Sequence, residues 1–319
     1  MIIAVALNPA IDQTVEVDHF HEADTNRVLA IRYDIGGKGI NVARALKEIG
    51  CEALATGFAA GQRGRMIEDQ LLDSGIGCDF VDVPGETRTN ITILDRSTHR
   101  HTQLALAGPL VSDAAGIALR ERLRRRVRAS TWLVLAGSIP PPGDAALYVE
   151  LIRMADERGG RSALDADGPI VEAVLASGVR PTLLKINEHE LERLLHTPAT
   201  GEAAALAAAR QLHARNRVER VVVTLGAGGA VAVSPEGEFV VTPPDVDVVS
   251  AVGAGDAFLA GLMYGLVKQQ PWQQALELAA AAGSAACLTP GTLLCQGADV
   301  WRLLPGAHAE RLATPAGVG

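Results

Sequence analysis

Apolar runs of five or six residues recur along the chain. Most are followed by stretches in which apolar positions return every three or four residues. The runs at 2–7, 53–58, 131–136, 161–165, 182–186 and 220–225 read as buried strands. The stretches at 39–49, 62–74, 112–128, 144–158, 187–195, 201–215, 254–268 and 271–287 read as helices with one apolar face. Such alternation predicts an α/β fold with a mainly parallel sheet covered on both faces, and ligands at the carboxyl ends of its strands. Residues 11–35 and 87–106 break the rhythm, alternating polar and apolar positions without a helix. Segments 90–94 and 101–104 flank a polar turn at 95–100, as a hairpin does. Together they predict a small β layer, a lid over one end of the sheet. One domain is expected over 1–305. The tail at 306–319, rich in Ala, Gly and Pro, is expected to be disordered.

Composition narrows the classes. The chain has 319 residues, 48% apolar and 21% charged, enough to bury a large core. Its formal charge of −8 disfavours nonspecific binding to nucleic acid. The one basic run, 120–128, carries Leu119, Leu123 and Val127 at helical spacing, so its arginines read as a solvated helix face. Cys51, Cys78, Cys287 and Cys295 show no paired or metal-binding spacing and read as reduced, small buried residues. The run at 2–7 has no basic stretch before it and stops at Asn8-Pro9, so it reads as a strand and not a leader. The alanine-rich stretch 275–288 is too short and too mild for a membrane span. A soluble cytoplasmic protein is expected.

Two glycine-rich segments carry chemistry. In Ser250-Ala251-Val252-Gly253-Ala254-Gly255-Asp256-Ala257-Phe258, the small residues place backbone N–H groups at a helix start, a site for an anion. Asp256 falls in the first turn. It reads either as a base facing that anion or as a simple helix-capping carboxylate. In Gly36-Gly37-Lys38-Gly39-Ile40-Asn41, Lys38 is suited to a phosphate and Asn41 to a sugar hydroxyl, unless the segment is only a glycine turn with an exposed lysine. Neither GxxxxGK[ST] nor GxGxxG occurs anywhere in the chain.

GGKGINVARAL and VGAGDAFLAGL, in this order and context, resemble the two signature regions of the ribokinase-like carbohydrate kinases, the PfkB family. Asn8-Pro9-Ala10-Ile11-Asp12, Thr87-Arg88-Thr89-Asn90 and Gly137-Ser138-Ile139-Pro140-Pro141 resemble the branch acting on phosphorylated hexoses. The resemblance implies a three-layer α/β/α sandwich with a β-sheet lid, and an ATP-dependent hexose-phosphate kinase. It implies Asp256 as the base and Gly253, Ala254 and Gly255 as the anion hole. Asp12 and Asn41 would bind sugar hydroxyls, with Gly37 and Lys38 along the sugar. Arg27, Arg88, Asn90 and Ser138 would hold the substrate's phosphate or its neighbouring hydroxyls. Lys185, Asn187, Thr224, Gly226 and Gly228 would lie on the ATP side, although Gly228-Gly229 equally reads as a hairpin turn. Asn187 and Glu190 would hold Mg²⁺ through water, and 279–292 would form the adenine-side wall. A homodimer through the lid is expected.

The sequence also departs from the family pattern. Thr92 stands where many 1-phosphofructokinases have a lysine, and Ile186 replaces a proline. Leu106-Ala107-Gly108-Pro109 and Asp165-Ala166-Asp167-Gly168 depart from the usual forms. These changes leave open fructose 1-phosphate, fructose 6-phosphate, tagatose 6-phosphate or a free sugar as acceptor. A sugar-phosphate sensor without activity is the reading from another class.

Overall fold

The computed structural model describes residues 1–98, 100–291 and 293–313. His99 of the expected hairpin turn, Thr292 of the expected adenine-side wall and 314–319 of the tail lie outside the described residues. The first half runs β1 (Ile2–Ala6), β2 (Ala10–Val17), β3 (Val28–Gly36), α1 (Lys38–Glu48), β4 (Ala53–Ala60), α2 (Gly61–Asp73), β5 (Gly77–Val83), β6 (Arg88–Asp95), β7 (Arg100–Leu104), α3 (Asp113–Arg126) and β8 (Trp132–Ala136). It continues with α4 (Ala146–Glu157), β9 (Arg161–Asp165), α5 (Gly168–Ala176), β10 (Leu183–Asn187), α6 (Glu188–Leu195), α7 (Glu202–Asn216) and β11 (Arg220–Thr224). The last elements are β12 (Ala230–Ser234), β13 (Gly237–Thr242), α8 (Ala254–Val267), α9 (Trp272–Cys287), α10 (Gly297–Leu303) and β14 (His308–Arg311).

The main sheet has ten strands in the order β14-β13-β12-β11-β10-β9-β8-β1-β4-β5. From β11 to β5 the pairings are parallel; β12, β13 and β14 add antiparallel pairings. Apolar groups on successive residues of β1 face opposite sides. Ile2 packs in the core with α1, α8 and α9; Ile3 and Val5 pack in the core with α3 and α4. Strands buried on both faces explain the unbroken apolar runs.

The second sheet has the order β3-β2-β6-β7. Its register places Asp12 opposite both Asp34 and Asn90, so these side chains share the inward face. The alternate positions form an apolar outer face, with Ile31 51% and Tyr33 52% exposed. The arginine run lies on α3 as expected, with Leu119 and Leu123 buried beneath it.

The structure corrects the tail. Residues 308–311 are a strand paired with β13, and Ala309 is buried in the core. The alternation His-Ala-Glu-Arg suits an edge strand with one buried face. Strand β5 and helix α5 are also additions. The first carries Asp79 and Asp82. The second is apolar on most faces, and its Asp167 cap and Pro169 are the start signals that sequence offered.

Candidate active site

The carboxyl ends of β1 and β8, the starts of α1 and α8, and the inner face of the lid surround a cavity of about 320 Å³. Of the residues expected at the site, Asp12, Gly37, Lys38, Asn41 and Arg88 line it, as do Asn90, Ser138, Glu190, Gly253 and Asp256. Asn8, Gln103, Asp167 and Val252 also line it and had been assigned no role. Arg27 is exposed just before β3 and does not line the cavity. Lys185 lies buried below it. Thr224 ends β11 opposite Asn187 in register; Gly226 and Gly228 form the short helical turn beyond. These residues flank the cavity on the side of β10 and β11 without lining it.

Helix α8 begins at Gly253, whose φ of 79° is left-handed. A Cβ there would approach Leu294 Cδ2 to 2.6 Å, so the turn requires glycine. The Ala254 N–H donates to Ala251 O at 3.3 Å and is turned away from the expected anion hole. Among the described residues, the N–H groups of Gly253 and Gly255 have no backbone partner, so they are the ones free for that role. A Cβ on Gly255 would sit 3.0 Å from Lys185 Nζ, so its absence lets the lysine approach the helix start.

Asp256 is 8% exposed, and its Oδ2 accepts from Asn41 Nδ2 at 2.8 Å. Burial, reinforced by the charge of Asp165, pushes its carboxyl up to about 6 against the pull of Lys38, Asn41 and Lys185. Such a group is mostly ionised at neutral pH yet basic enough to accept a proton.

Asp165, absent from the expected site, organises the charges below. Its carboxylate has no exposed surface and accepts from Lys38 Nζ at 2.6 Å and Lys185 Nζ at 2.8 Å. Burial opposes its ionisation, but the two lysines outweigh burial and hold its pKa below the ordinary range. Lys38 also donates to Glu190 Oε1 at 2.7 Å. Burial pulls its ammonium down, while Asp165, Glu190 and Asp256 more than compensate and keep it charged. Lys38 therefore has two of its three donors committed to protein, leaving one for a ligand along the sugar.

Asn187 and Glu190 form a capping box on α6. Asn187 Oδ1 accepts from the Glu190 N–H at 2.8 Å, and Glu190 Oε2 accepts from the Asn187 N–H at 2.9 Å. Among the described residues, no three His, Cys, Asp or Glu side chains group closely enough to cage a metal. The donors at 187 and 190 are hard oxygens that each keep lone-pair capacity. They fit Mg²⁺ held through its own waters and not by direct caging.

On the lid side, Asn90 Nδ2 donates to Asp12 Oδ1 at 2.8 Å. Burial raises the Asp12 pKa against this bond and the charge of Arg88. Arg88 Nη1 donates to Leu106 O at 2.9 Å, while its Nε is buried without a partner among the described residues. The Oδ1 atoms of Asn8, Asn41 and Asn90 are likewise buried and unpartnered. Unmatched buried polar atoms are costly, so several around one cavity mark it as built for a polar ligand. Carbonyl acceptors at Asn41 and Asn90 suit hydroxyls; the guanidinium suits an anion.

Comparison with known proteins gives the same picture. Residues 5–298 match the pfkB family carbohydrate kinases. A tagatose-6-phosphate kinase of Staphylococcus epidermidis is 34% identical over 283 residues, covering 89% of this chain and 91% of its own. A 1-phosphofructokinase of Rhodobacter capsulatus is 38% identical over 267 residues, covering 82% and 83%. The structure of phosphofructokinase-2 from Escherichia coli in complex with fructose-6-phosphate superposes with a TM-score of 0.88 at 28% identity, covering 95% of this chain and 98% of that one. With a buried carboxylate at a helix start, asparagines around the cavity and a small β lid, the chain belongs to the pfkB family of carbohydrate kinases, phosphotransferases that act on a sugar hydroxyl.

Proposed function

We propose that this chain transfers the γ-phosphoryl group of ATP to a phosphorylated ketohexose. The reaction is of the phosphofructokinase type, converting fructose 1-phosphate or fructose 6-phosphate to fructose 1,6-bisphosphate. The observation that carries this reading is the buried Asp256 carboxylate, raised to about 6, beside the unpartnered N–H groups of the α8 start. Asp256 takes the proton of the acceptor hydroxyl, and that oxygen attacks the γ-phosphorus in line. Asn41 fixes the carboxylate through its amide and leaves its Oδ1 for the sugar. The N–H groups of Gly253 and Gly255, with the helix dipole, stabilise charge on the transferring phosphoryl. Asp12 and Asn90 hold the sugar, and Arg88 with Ser138 holds its phosphate. Lys185, Asn187, Thr224, Gly226 and Gly228 face the nucleotide. When bound, Mg²⁺ held through water by Asn187 and Glu190 neutralises charge on the ATP phosphates.

The exposed apolar outer face of the lid, with Ile31 and Tyr33, supports a homodimer formed through that sheet. A phosphosugar and ATP as substrates fit a cytoplasmic protein, and among the described residues no helix is long and apolar enough to cross a membrane. The tagatose-6-phosphate kinase at 34% identity supports tagatose 6-phosphate as the second acceptor to consider. ADP release with Mg-ATP over fructose 1-phosphate, fructose 6-phosphate, tagatose 6-phosphate, fructose and ribose tests the assignment. Preference for one phosphorylated ketohexose is expected; turnover of free sugars alone would reject it.

A further inference from the structure

Asn8 follows strand β1 and is 6% exposed. It lies beside the strap 105–112, which returns from lid strand β7 to helix α3 without regular structure. One atom, Asn8 Nδ2, donates both to Ala107 O at 2.9 Å and to Ser138 Oγ at 3.2 Å. It thus ties the strap to the loop after β8. The strap in turn holds Arg88, because Leu106 O accepts from Arg88 Nη1. The β8 loop is anchored from behind: the fully buried Tyr148 donates its hydroxyl to Gly137 O at 3.2 Å, and the Gly137 N–H donates to Asp165 O at 2.9 Å. Farther along, the Val111 N–H donates to Pro141 O at 3.0 Å.

Asn8, Arg88 and Ser138 line both the main cavity and a second cavity of about 420 Å³ next to it. Asn8 and the strap thus link the two residues proposed to hold the acceptor's phosphate. We propose that Asn8 is a positioning residue for phosphate recognition. Its amide locks the strap onto Ser138 and so presents Arg88 and Ser138 at a fixed separation. The inference rests on the phosphosugar reading above. An amide is the side chain that the position demands, because one nitrogen must donate to a carbonyl and to a hydroxyl at once. Aspartate offers no donor to Ala107 O and adds a charge beside the phosphate. Gly108 shows how close the strap lies: it has a φ of 98°, and a Cβ there would collide with Asn8 Oδ1.

The test compares wild type, Asn8→Ala, Asn8→Asp and Gly108→Ala in steady-state kinetics with Mg-ATP. Each phosphorylated ketohexose that the wild type uses is set against free fructose. Loosened hydrogen bonding to a charged group predicts a KM for the phosphosugar higher by about 10- to 100-fold in Asn8→Ala. The kcat and the KM for ATP stay within about twofold, and the preference for phosphorylated over free sugar falls by the same factor as KM rises. Gly108→Ala, which displaces the strap from the other side, gives the same pattern and covers the case of an Asn8 variant that does not fold. A wild type that prefers the phosphosugar, with variants that keep that preference while losing kcat or thermal stability, overturns the role of Asn8 alone. A wild type with no preference for the phosphorylated acceptor overturns the phosphosugar reading and this inference with it.

Discussion

Replacing Asp256 by asparagine should abolish turnover and stabilise the protein, and the stabilisation should depend on pH in a defined way. In an unfolded chain this carboxyl ionises near its ordinary value of 3.8; in the folded protein burial and Asp165 raise it to about 6. Between those values the folded protein binds one proton more than the unfolded chain. Stability therefore falls as pH rises from about 4 to about 6 and is level above that. Each pH unit is worth about 1.4 kcal/mol, so holding Asp256 ionised at neutral pH costs about 3 kcal/mol of folding stability. Asparagine has the same shape, accepts from Asn41 as the carboxylate does, and carries no charge to bury. The variant should match wild type near pH 4 and exceed it by about 3 kcal/mol at pH 7, or about 4–5 °C in Tm for a chain of this size. Turnover should fall by roughly 10²–10⁴-fold or more, the range for a positioned base. Urea titrations of both proteins from pH 4.5 to 7.5, with kinetics on the same samples, decide it. A stability difference that stays flat across that range, or a wild type more stable at pH 7, would refute the assignment of a destabilised buried base. Near-normal turnover would refute the base itself.

The remaining predictions concern the groups around this carboxyl and the surface of the lid. In Asp165→Asn, the removed negative charge and the two freed lysines should both lower the Asp256 pKa, so the acid limb of kcat/KM moves below its wild-type position near pH 6; an unmoved limb in a pH–rate series from 5 to 8 contradicts the charge cluster. Glu190→Gln should raise the Mg²⁺ concentration giving half-maximal activity several-fold, read from a Mg²⁺ titration at fixed ATP; an unchanged midpoint removes Glu190 from the metal's surroundings. Ile31→Asp combined with Tyr33→Glu should turn a dimer into a monomer by light scattering, because charge then lies on the exposed apolar face of the lid; a dimer that persists places the interface elsewhere.

What the sequence made legible was local. The glycine before α8, the Asn-x-x-Glu start of α6 and the apolar strand runs are short-range signals, each tied to a backbone requirement nearby. What it hid depends on register between distant strands. Asp165 is the last residue of an apolar run, and nothing near it in sequence marks a charge centre. It meets Lys38, 127 residues away, only because β9 lies beside β8 and β10 in a parallel sheet. The sequence also hid that the fold commits two of Lys38's three donors to carboxylates, leaving one toward the cavity. Arg27 read as part of a phosphate cluster, and the lid carries it to an exposed position away from the cavity. The strand at 308–311 looked like tail because its partner, β13, lies about seventy residues earlier.

The distribution of charge around the cavity explains how an acidic protein can hold anionic substrates. Asp12, Asp167, Glu190 and Asp256 line it against only Lys38 and Arg88. Counted as a sum, that balance repels a phosphosugar. The balance is nevertheless divided in space. Lys38 joins Glu190 to the buried Asp165, which Lys185 holds from below. Asp167 is engaged by Arg193 at 2.6 Å. Asp12 accepts from Asn90 and faces the opposite charge of Arg88. Among the described residues, Arg88 donates to no carboxylate: its Nη1 rests on a neutral carbonyl and its Nε is unspent. An arginine with an unspent Nε on the lid strand β6, and a carboxylate reluctant to ionise at the start of α8 beside N–H groups without a backbone partner, line the same cavity. On the function proposed above, the phosphate would bind at Arg88, and the hydroxyl that loses its proton would sit at Asp256. The acceptor is thus oriented by charge before any contact to its individual hydroxyls is counted.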